Sequence, residues 1–290
     1  MFRFLAAAAL LVATLAPGLA HACASCGCGD PTLTVMGAEK PFEGRLRLAA
    51  ELRDAHTSLG GELIDEQRWA AAAAFAPTDR VVLALELPLV ARKFRAANLG
   101  SVQTFAPGDL ELRAKVFVWQ DRPAFARHLF ALHGGLTLPT APMQRSGGEP
   151  VDADAQAGAG AFAPQLGLSW AHFAGDLSFY VGGTARFPIG GWLDVEAGPA
   201  VLGSAMGQWQ LLPWLAPRLG LESRHESGSR HGGDPIEGSR GHAVFASLGG
   251  VVSPLRDLLF SASLQLPLLV AFDGRREEGA GFTLGIVHDL

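Results

Sequence analysis

The chain has 290 residues, of which 49% are hydrophobic and 18% charged, and its formal net charge is −5. A weakly acidic chain with so few charged residues offers no basic field to nucleic acid, so a nucleic-acid partner is excluded. After the first residues, no apolar stretch reaches the roughly 18–20 residues that a membrane-spanning helix needs. The apolar surface must therefore lie in a core or face lipid as strands.

Residues 1–22 have the order of a secretory signal peptide. Arg3 gives the positive start, residues 5–15 are apolar, and Ala20-His21-Ala22 is a small-x-small cleavage pattern. Cleavage after residue 22 leaves Cys23 first in the mature chain. A bacterial lipoprotein signal usually has leucine three residues before that cysteine, where this chain has alanine, so we expect plain cleavage rather than lipidation.

Residues 23–42 form a Cys-rich segment that contains every cysteine of the chain: Cys23, Cys26 and Cys28. Three thiolates so close together favour Cu(I), Zn or an Fe–S cluster, with Asp30, the free amine of Cys23 or a distant histidine as a fourth ligand. An oxidising periplasm would instead pair two of the thiols and leave one odd. Both interpretations stay open, but a haem attachment site is excluded because glycine follows Cys26.

Residues 43–290 alternate apolar and polar side chains with period two, which is typical of strands with one apolar and one polar face. Between residues 108 and 119, Leu110, Leu112 and Val116 fall on one face, and Glu111 and Lys115 on the other. The same pattern predicts twelve strands, at residues 44–53, 68–75, 81–89, 108–119, 129–138, 165–172, 177–187, 201–210, 215–224, 243–252, 258–268 and 281–290.

The predicted connections are alternately short and long. Short ones lie at residues 77–79, 120–127, 173–176, 211–214 and 253–257, and long ones at residues 54–67, 90–107, 139–163, 188–199, 225–241 and 270–280. Outer-membrane barrels have short periplasmic turns and longer extracellular loops, and closure removes the unpaired sheet edges that lipid cannot satisfy. We therefore predict an all-β fold, a transmembrane antiparallel up-and-down outer-membrane barrel of about twelve strands with both termini in the periplasm. Residues 23–42 would then form a periplasmic segment below the barrel or fold into it as a plug.

Three short motifs resemble a known family. Gly108-Asp109-Leu110-Glu111-Leu112, Gly135-Leu136-Thr137-Leu138-Pro139-Thr140 and Leu264-Gln265-Leu266-Pro267-Leu268 are similar to motifs of the MetA-pathway-of-phenol-degradation family of outer-membrane transporters. The resemblance covers about residues 40–290, and the Cys-rich start is not part of it. It implies a barrel of about twelve strands and a transport role, and it supplies no catalytic residues.

Charged side chains on the polar faces of the predicted strands should share the lumen. They are Arg45, Arg47, Glu51, Arg53, Arg68, Glu86, Glu111, Arg113, Lys115, Arg186, Arg218, Glu222 and Arg224. Because both signs are mixed, most of these charges should brace the wall, while an excess of arginine would favour anionic solutes. Eight strands are filled by side chains and sixteen leave a channel, so twelve predict a narrow or plugged pore.

Histidines in residues 223–242 are a second candidate metal site. His225, His231 and His242 stand among serines, glycines and acids, which is typical of a weak metal-capturing loop or of a solvated, flexible one. The flexible loop is the better supported interpretation. The spacing from His225-Glu226 to His231 differs from HExxH, which excludes a zincin motif.

The leading hypothesis is a non-enzymatic outer-membrane channel or transporter for a small solute, linked to metal handling if the N-terminal thiols hold Cu(I) or Zn. Its partners would be outer-membrane lipid, a small-molecule or metal cargo, and a periplasmic protein. One alternative is a non-conducting anchor or sleeve for a periplasmic or extracellular redox or metal-binding partner. Another is an outer-membrane lipid hydrolase with a pair such as Ser169 and His172, although no pattern positions them as nucleophile and base.

Overall fold

A computed structural model describes residues 43–96, 100–122, 126–255 and 257–290. The predicted signal peptide and the Cys-rich segment with Cys23, Cys26 and Cys28 lie outside the described residues. The predicted cleavage site, lipidation state and thiol chemistry therefore stay predictions.

Twelve antiparallel strands form one closed sheet, which confirms the predicted fold class. They are β1 (Leu46–Leu59), β2 (Glu62–Thr78), β3 (Val81–Ala96), β4 (Gly100–Pro107 and Leu110–Gln120), β5 (His128–Leu138), β6 (Ala163–Ala174), β7 (Leu177–Arg186), β8 (Ala200–Trp209), β9 (Leu215–Ser227), β10 (Arg240–Leu255), β11 (Leu258–Phe272) and β12 (Arg276–Glu278 and Gly281–Asp289). Each strand pairs with its neighbours in the chain. The register from Arg47↔Asp289 to Asp54↔Phe282 joins β1 to β12 and closes the barrel.

The two faces of the strands differ as the period-two pattern predicts. In β9, Leu219 and Leu221 are on the outer face and highly exposed, whereas Arg224 is buried on the inner face. Large apolar side chains are exposed in the same way on the other strands, among them Leu83, Leu87, Leu112, Leu132, Leu166, Leu168, Val181, Val201, Leu248, Leu264, Leu284 and Ile286. An apolar band around the whole wall of a closed barrel is a lipid-facing surface.

Aromatic rings lie on the outer face at two heights of the barrel wall. At the end with the short turns, His128 stacks on His172, with ring centroids 4.3 Å apart, and on Trp170 at 6.0 Å. Midway along β2, where the outward side chains change from apolar to the polar Gln67 and Asp65, Trp69 and Phe105 meet edge to face at 6.1 Å. Amphipathic rings at these heights are typical of membrane interfaces and mark the two edges of the apolar band.

Two predicted long connections are wrong, because the strands continue through them. β1 and β2 run on to a tight turn at Gly60 and Gly61, both with positive φ, a conformation that glycine adopts readily. β3 and β4 likewise leave only residues 97–99 between them. In these extensions the outer face carries charge, as in the ion pair of Asp65 and Arg95, so strict alternation of apolar and polar residues ends there.

The remaining long connections lie at the same end of the barrel and contain small elements of their own. Residues 139–162 include the two-stranded ladder Arg145–Ser146 with Glu149–Pro150 and the 3₁₀ turn Ala153–Ala155. Residues 187–199 and 228–239 pair with each other through Val195–Glu196 and Arg230–His231. Within the described ranges, no helix is long and apolar enough to cross a membrane.

Candidate functional site in the barrel lumen

The loop of residues 139–162, called here the inner loop, folds into the barrel against β2, β3 and β4. Arg92 of β3 holds it, donating from Nη1 to the carbonyls of Asp154 (3.3 Å) and Gln156. The Thr104 hydroxyl of β4 donates to the Ala155 carbonyl at 2.6 Å. A guanidinium can donate to two carbonyls at once, and the exposed backbone of a single turn supplies them. This loop narrows the lumen.

Further contacts fix both ends of the inner loop. The Asp109 carboxylate, at the break in β4, accepts the N–H groups of Ala141 (3.1 Å) and Ala159 (2.8 Å). The buried Gln156 side chain accepts from the backbone N–H of Gln144 at 2.8 Å. A Cβ at Gly158 would lie 2.5 Å from the Cβ of Ala141, so only glycine fits there. These contacts therefore fix the position of the inner loop inside the lumen.

Beneath the inner loop lies a layer of paired charges. The Glu86 carboxylate is 2.6 Å from Arg68 and 3.2 Å from Arg113, and Arg113 is also 2.7 Å from Glu111. The Gln165 amide donates to Glu111. A small polar cavity of about 50 Å³ separates this layer from the loop. Buried charges need such partners to offset desolvation, so these residues brace the wall in addition to lining it.

A second group, the rim quartet, lies nearer the long-loop end and consists of Arg224, Glu226, Arg276 and Glu278. Arg224 pairs with both glutamates, at 2.8 Å for Glu226, and Arg276 is 3.0 Å from Glu226 and 2.8 Å from Glu278. The guanidinium of Arg276 also stacks over the Phe272 ring at 4.0 Å. Two cations and two carboxylates make the quartet neutral at neutral pH.

The structure places every other sequence-predicted lumen residue on the inner face or at its edge with a polar or aromatic neighbour. The contacts are Arg45 with Asp257 (2.7 Å), Arg47 with Asp289 (2.5 Å), Arg53 with Glu51 (3.6 Å), Lys115 over Phe117 (5.1 Å), Arg186 with Thr137 (3.2 Å), Arg218 with Gln208 (2.6 Å) and Glu222 with Gln265. Four further charged residues at this inner face were not predicted, because they lie in strand segments whose sequence resembles loops: Glu66, Arg92, Arg276 and Glu278. Extending the alternation of inward and outward side chains into those segments predicts that Glu66 and Arg92 face the lumen.

The inner wall is asymmetric at the short-turn end. On one side Phe117, Leu129 and Tyr180 are the large members of a buried group, called the inner apolar cluster, that also includes Ala74, Ala76, Val82, Ala126, Ala131 and Ala171. On the opposite side, β11 and β12 present inward Ser261, Ser263, Gln265 and Thr283 that keep partial exposure. These four residues form what we call the polar lane. Solvent inside the barrel therefore contacts small hydroxyl and amide groups along this side.

At the long-loop end, a cavity of about 330 Å³ opens among the inner loop and the loops of residues 187–199 and 228–239. This cavity, the vestibule, has apolar walls that include Leu59, Ile64, Trp192, Leu193, Val195 and Ile236. Its polar lining includes Thr57, Asp152, Asp154, Glu226, His231, Glu237 and Arg276. Its size falls within the range of small-molecule sites.

The Asp154 carboxylate, in the inner loop, has a pKa that is shifted by its surroundings in the vestibule. Burial and the neighbouring Asp152 carboxylate raise the pKa of Asp154 above its ordinary value, while the cationic Arg92 and Arg276 act against this rise. The rise means that the ionised form of this carboxylate lacks full compensation from its surroundings.

The three loop histidines do not converge. His225 and His242 are cross-strand neighbours on the outer face, and His231 lies in a short ladder opposite Val195. Among the residues that the structure describes, no group of three or more His, Cys, Asp or Glu side chains could hold a metal ion. The geometry therefore does not support a metal site at these histidines.

The example of a hydrolase pair does not fit the geometry. Ser169 is buried on the inner face of β6, and His172, an odd number of residues away, lies on the outer face in the aromatic stack. Their side chains point to opposite sides of the wall, so this pair cannot act as nucleophile and base.

Comparison with solved structures finds other membrane barrels. An outer membrane channel from Pseudomonas putida F1 superposes with a TM-score of 0.70 at 15% sequence identity, covering 86% of this chain and 96% of that chain. The beta domain of the Bordetella autotransporter BrkA gives 0.53 at 9% identity over 85% and 99% of the chains. The translocator domain of the autotransporter NalP from Neisseria meningitidis gives 0.52 at 11% identity over 86% and 90%.

No family model and no curated protein sequence matches the chain. At these identities the solved structures show a shared fold alone, that of a β-barrel of the outer-membrane type. The resemblance to the MetA-pathway-of-phenol-degradation family stays a prediction.

Proposed function

We propose that this protein is a non-enzymatic outer-membrane channel that passes a small solute, with both termini and the short turns in the periplasm. The polar lane is the observation that carries the proposal. A barrel interior built only as a core would bury its inward side chains, yet Ser261, Ser263 and Thr283 keep partial exposure. The vestibule, at the long-loop end, would receive the solute from outside the cell. The Pseudomonas putida channel with the same fold supports this role.

Single-channel recording in planar bilayers tests the proposal. Folded protein, verified by its heat-dependent shift on gel electrophoresis, should give discrete conductance steps. Ser263→Trp should lower the step size, because the indole would occupy the polar lane. Leu264→Trp is the matched control, since its side chain is on the lipid face and highly exposed. Folded protein with no steps, or equal steps for both variants, would contradict the channel.

A non-conducting sleeve is the second candidate, and the inner apolar cluster favours it. Phe117, Leu129 and Tyr180 pack in the interior at the short-turn end, and the inner loop fills part of the other end. A sleeve would hold a periplasmic or extracellular partner without passing solute. A folded barrel that gives no conductance, and that still co-purifies with a periplasmic protein through residues 23–42, would support it.

The proposed link to metal handling rests on Cys23, Cys26 and Cys28. Soft thiolates favour Cu(I) or Zn, and the short spacing lets them meet one ion. Protein purified without oxygen should carry metal, and a variant with all three cysteines replaced by serine should not. Equal metal content in the two proteins would remove this part of the proposal.

A further inference from the structure

The vestibule combines apolar walls with two unpaired polar groups. Trp192 packs its indole edge against Gly160, where an added Cβ would lie 2.2 Å from the ring. This close packing fixes the position of the indole in the cavity wall. Ile64 is 5% exposed and Leu59, Val195 and Ile236 are partly buried around it. A cavity with these walls accepts the apolar body of a small molecule.

The first unpaired polar group is the Thr57 hydroxyl. Thr57 lines the vestibule from β1 with only 3% of its surface exposed, and its Oγ1 has no hydrogen-bond partner among the residues that the structure describes. A buried hydroxyl without a partner costs free energy, so such groups are rare unless a ligand or water meets them. A ligand that donates a hydrogen bond would satisfy this oxygen.

The second unpaired group is the Asp154 carboxylate. The backbone of Asp154 is bound, through its carbonyl to Arg92 and through its N–H to the Asp152 side chain. Its carboxylate forms no hydrogen bond or salt bridge with the described residues. Desolvation and Asp152 raise its pKa although the cationic Arg92 and Arg276 act in the opposite direction, as expected for a partly buried anion that has no direct ion-pair contact.

The charges around the vestibule leave an excess of anions. Arg276 is shared between Glu226 and Glu278 in the neutral rim quartet, and Arg92 pairs with Glu66. Asp152, Asp154 and Glu237 then remain in the lining, and His231 is its other titratable group. This excess of negative charge in the vestibule lining therefore favours a positively charged ligand.

The loop that carries Trp192 is held in a strained conformation. Leu193 and Asp194 have φ of 56° and 57°, the left-handed region that side-chain-bearing residues rarely adopt. Backbone hydrogen bonds hold it, from Trp192 N–H to the Ala159 carbonyl (3.2 Å), from Val195 N–H to the Trp192 carbonyl (3.0 Å) and from Gly232 N–H to the Asp194 carbonyl (3.0 Å). Strain of this kind clusters at ligand sites, where the surrounding fold maintains it.

We propose that the vestibule binds a small amphipathic organic cation, a protonated amine on an aromatic or branched apolar body. The ammonium would donate hydrogen bonds to the Asp154 carboxylate and the Thr57 hydroxyl, and the body would pack against Trp192, whose ring face also attracts cations. This inference names the solute class of the proposed channel, and its transport part rests on that function. Binding itself does not depend on conduction.

Three probes of matched shape test the charge preference. Phenethylamine, 2-phenylethanol and phenylacetate carry a cation, a neutral hydroxyl and an anion on the same ring. Calorimetric titration into the full mature chain, folded in detergent, should give the tightest binding for phenethylamine and the weakest for phenylacetate. Equal binding of the three, tighter binding of the anion, or no binding by any probe would overturn the proposal.

Matched variants test the residues. Asp154→Asn should weaken phenethylamine binding by about 10–100-fold, the loss expected for one charge-assisted hydrogen bond, and should leave 2-phenylethanol almost unchanged. Glu149→Gln removes an exposed carboxylate from the same loop, outside the vestibule lining, and should change neither. Thr57→Val, on the barrel wall, should also weaken phenethylamine binding. It provides the test where Asp154→Asn fails to fold. An unchanged affinity in the folded variants would refute the assignment.

A bilayer recording separates this proposal from the channel proposal. Phenethylamine added on the long-loop side should reduce current through the unsubstituted barrel but not through Asp154→Asn. Tight binding in calorimetry with no conductance would support the cation site and refute the channel proposal. Conductance with no preference for the cation would support the channel and refute the cation site.

Discussion

Replacing Arg92 tests how the inner loop is held in the lumen. Arg92 is 5% exposed, its Nη2 is 2.5 Å from Glu66, and its Nη1 donates to two carbonyls of the 3₁₀ turn. Arg92→Met keeps the apolar stem and removes every donor. Breaking a buried pair by deleting one partner costs about 3–5 kcal/mol, mainly because Glu66 stays charged and buried.

The loop contributes a separate share of this cost. Hydrogen bonds from a charged donor are each worth about 1.5–3 kcal/mol, so each of the two lost bonds shifts the docking equilibrium of the inner loop by about 10–100-fold. The double variant Arg92→Met with Glu66→Met removes the buried charge as well. We expect it to recover most of the barrel stability and none of the loop docking.

Hydrogen exchange of residues 141–160 together with single-channel recording provides the assay. Both Arg92 variants should exchange faster at the amides of Ala157 and Ala159 and should give larger, noisier conductance steps. Arg95→Met is the control, because its pair with Asp65 is on the outer face and Arg95 is 45% exposed, where ion pairs contribute little. Unchanged exchange in a folded Arg92 variant would refute the anchoring role.

Three further substitutions probe the wall. Gly167→Ala should lower the free energy of unfolding by about 1–3 kcal/mol in urea titration, because its Cβ would lie 2.2 Å from His133 Nε2 and 2.3 Å from the Gly183 carbonyl; unchanged stability would show that the wall yields there. Leu221→Arg, near the middle of β9, should lower it by about 2–4 kcal/mol in lipid vesicles, and no loss would argue against lipid contact at that residue. Asp121 accepts two backbone N–H groups at the start of β5, which lower its pKa, so its stabilising effect is present above the unfolded pKa of about 3.9 and lost as the pH falls through the lower folded value. Asp121→Ala should therefore lower the urea midpoint more at pH 7 than at pH 2, and an equal loss at both would contradict this cause.

The fold could be predicted from the sequence because one face of every strand meets lipid. Each run with Leu, Val or Ala on one parity and charge on the other became a strand in the structure. The pattern failed where strands extend past the apolar band. There Asp65 and Arg95 lie on the outer face in an ion pair, so both faces are polar and the segment resembles a loop. Gly60 and Gly61, a pair typical of a two-residue hairpin turn, are the local signal for a turn at this point.

The lumen could be predicted only in part, because its contacts are distant in sequence. Alternation identifies Arg113 and Glu111 as inward, but no local pattern shows that Asp109 will accept the N–H of Ala159, fifty residues away. The vestibule depends on three loops meeting, and Trp192 carries no strand pattern. The composition of residues 223–242 indicated a solvated loop, but part of this segment lines the vestibule.

Spin-label accessibility along β9 tests most directly whether the apolar face meets lipid while the charged face meets water. In a background with the three cysteines replaced by serine, a label would be placed at each residue from 218 to 224 of the barrel in lipid vesicles. We expect collisions with dissolved oxygen to peak at Leu219, Leu221 and Ser223, and collisions with a polar nickel complex to peak at the residues between them. Accessibility without this alternation, or a nickel complex excluded from every position, would contradict a water-filled transmembrane barrel.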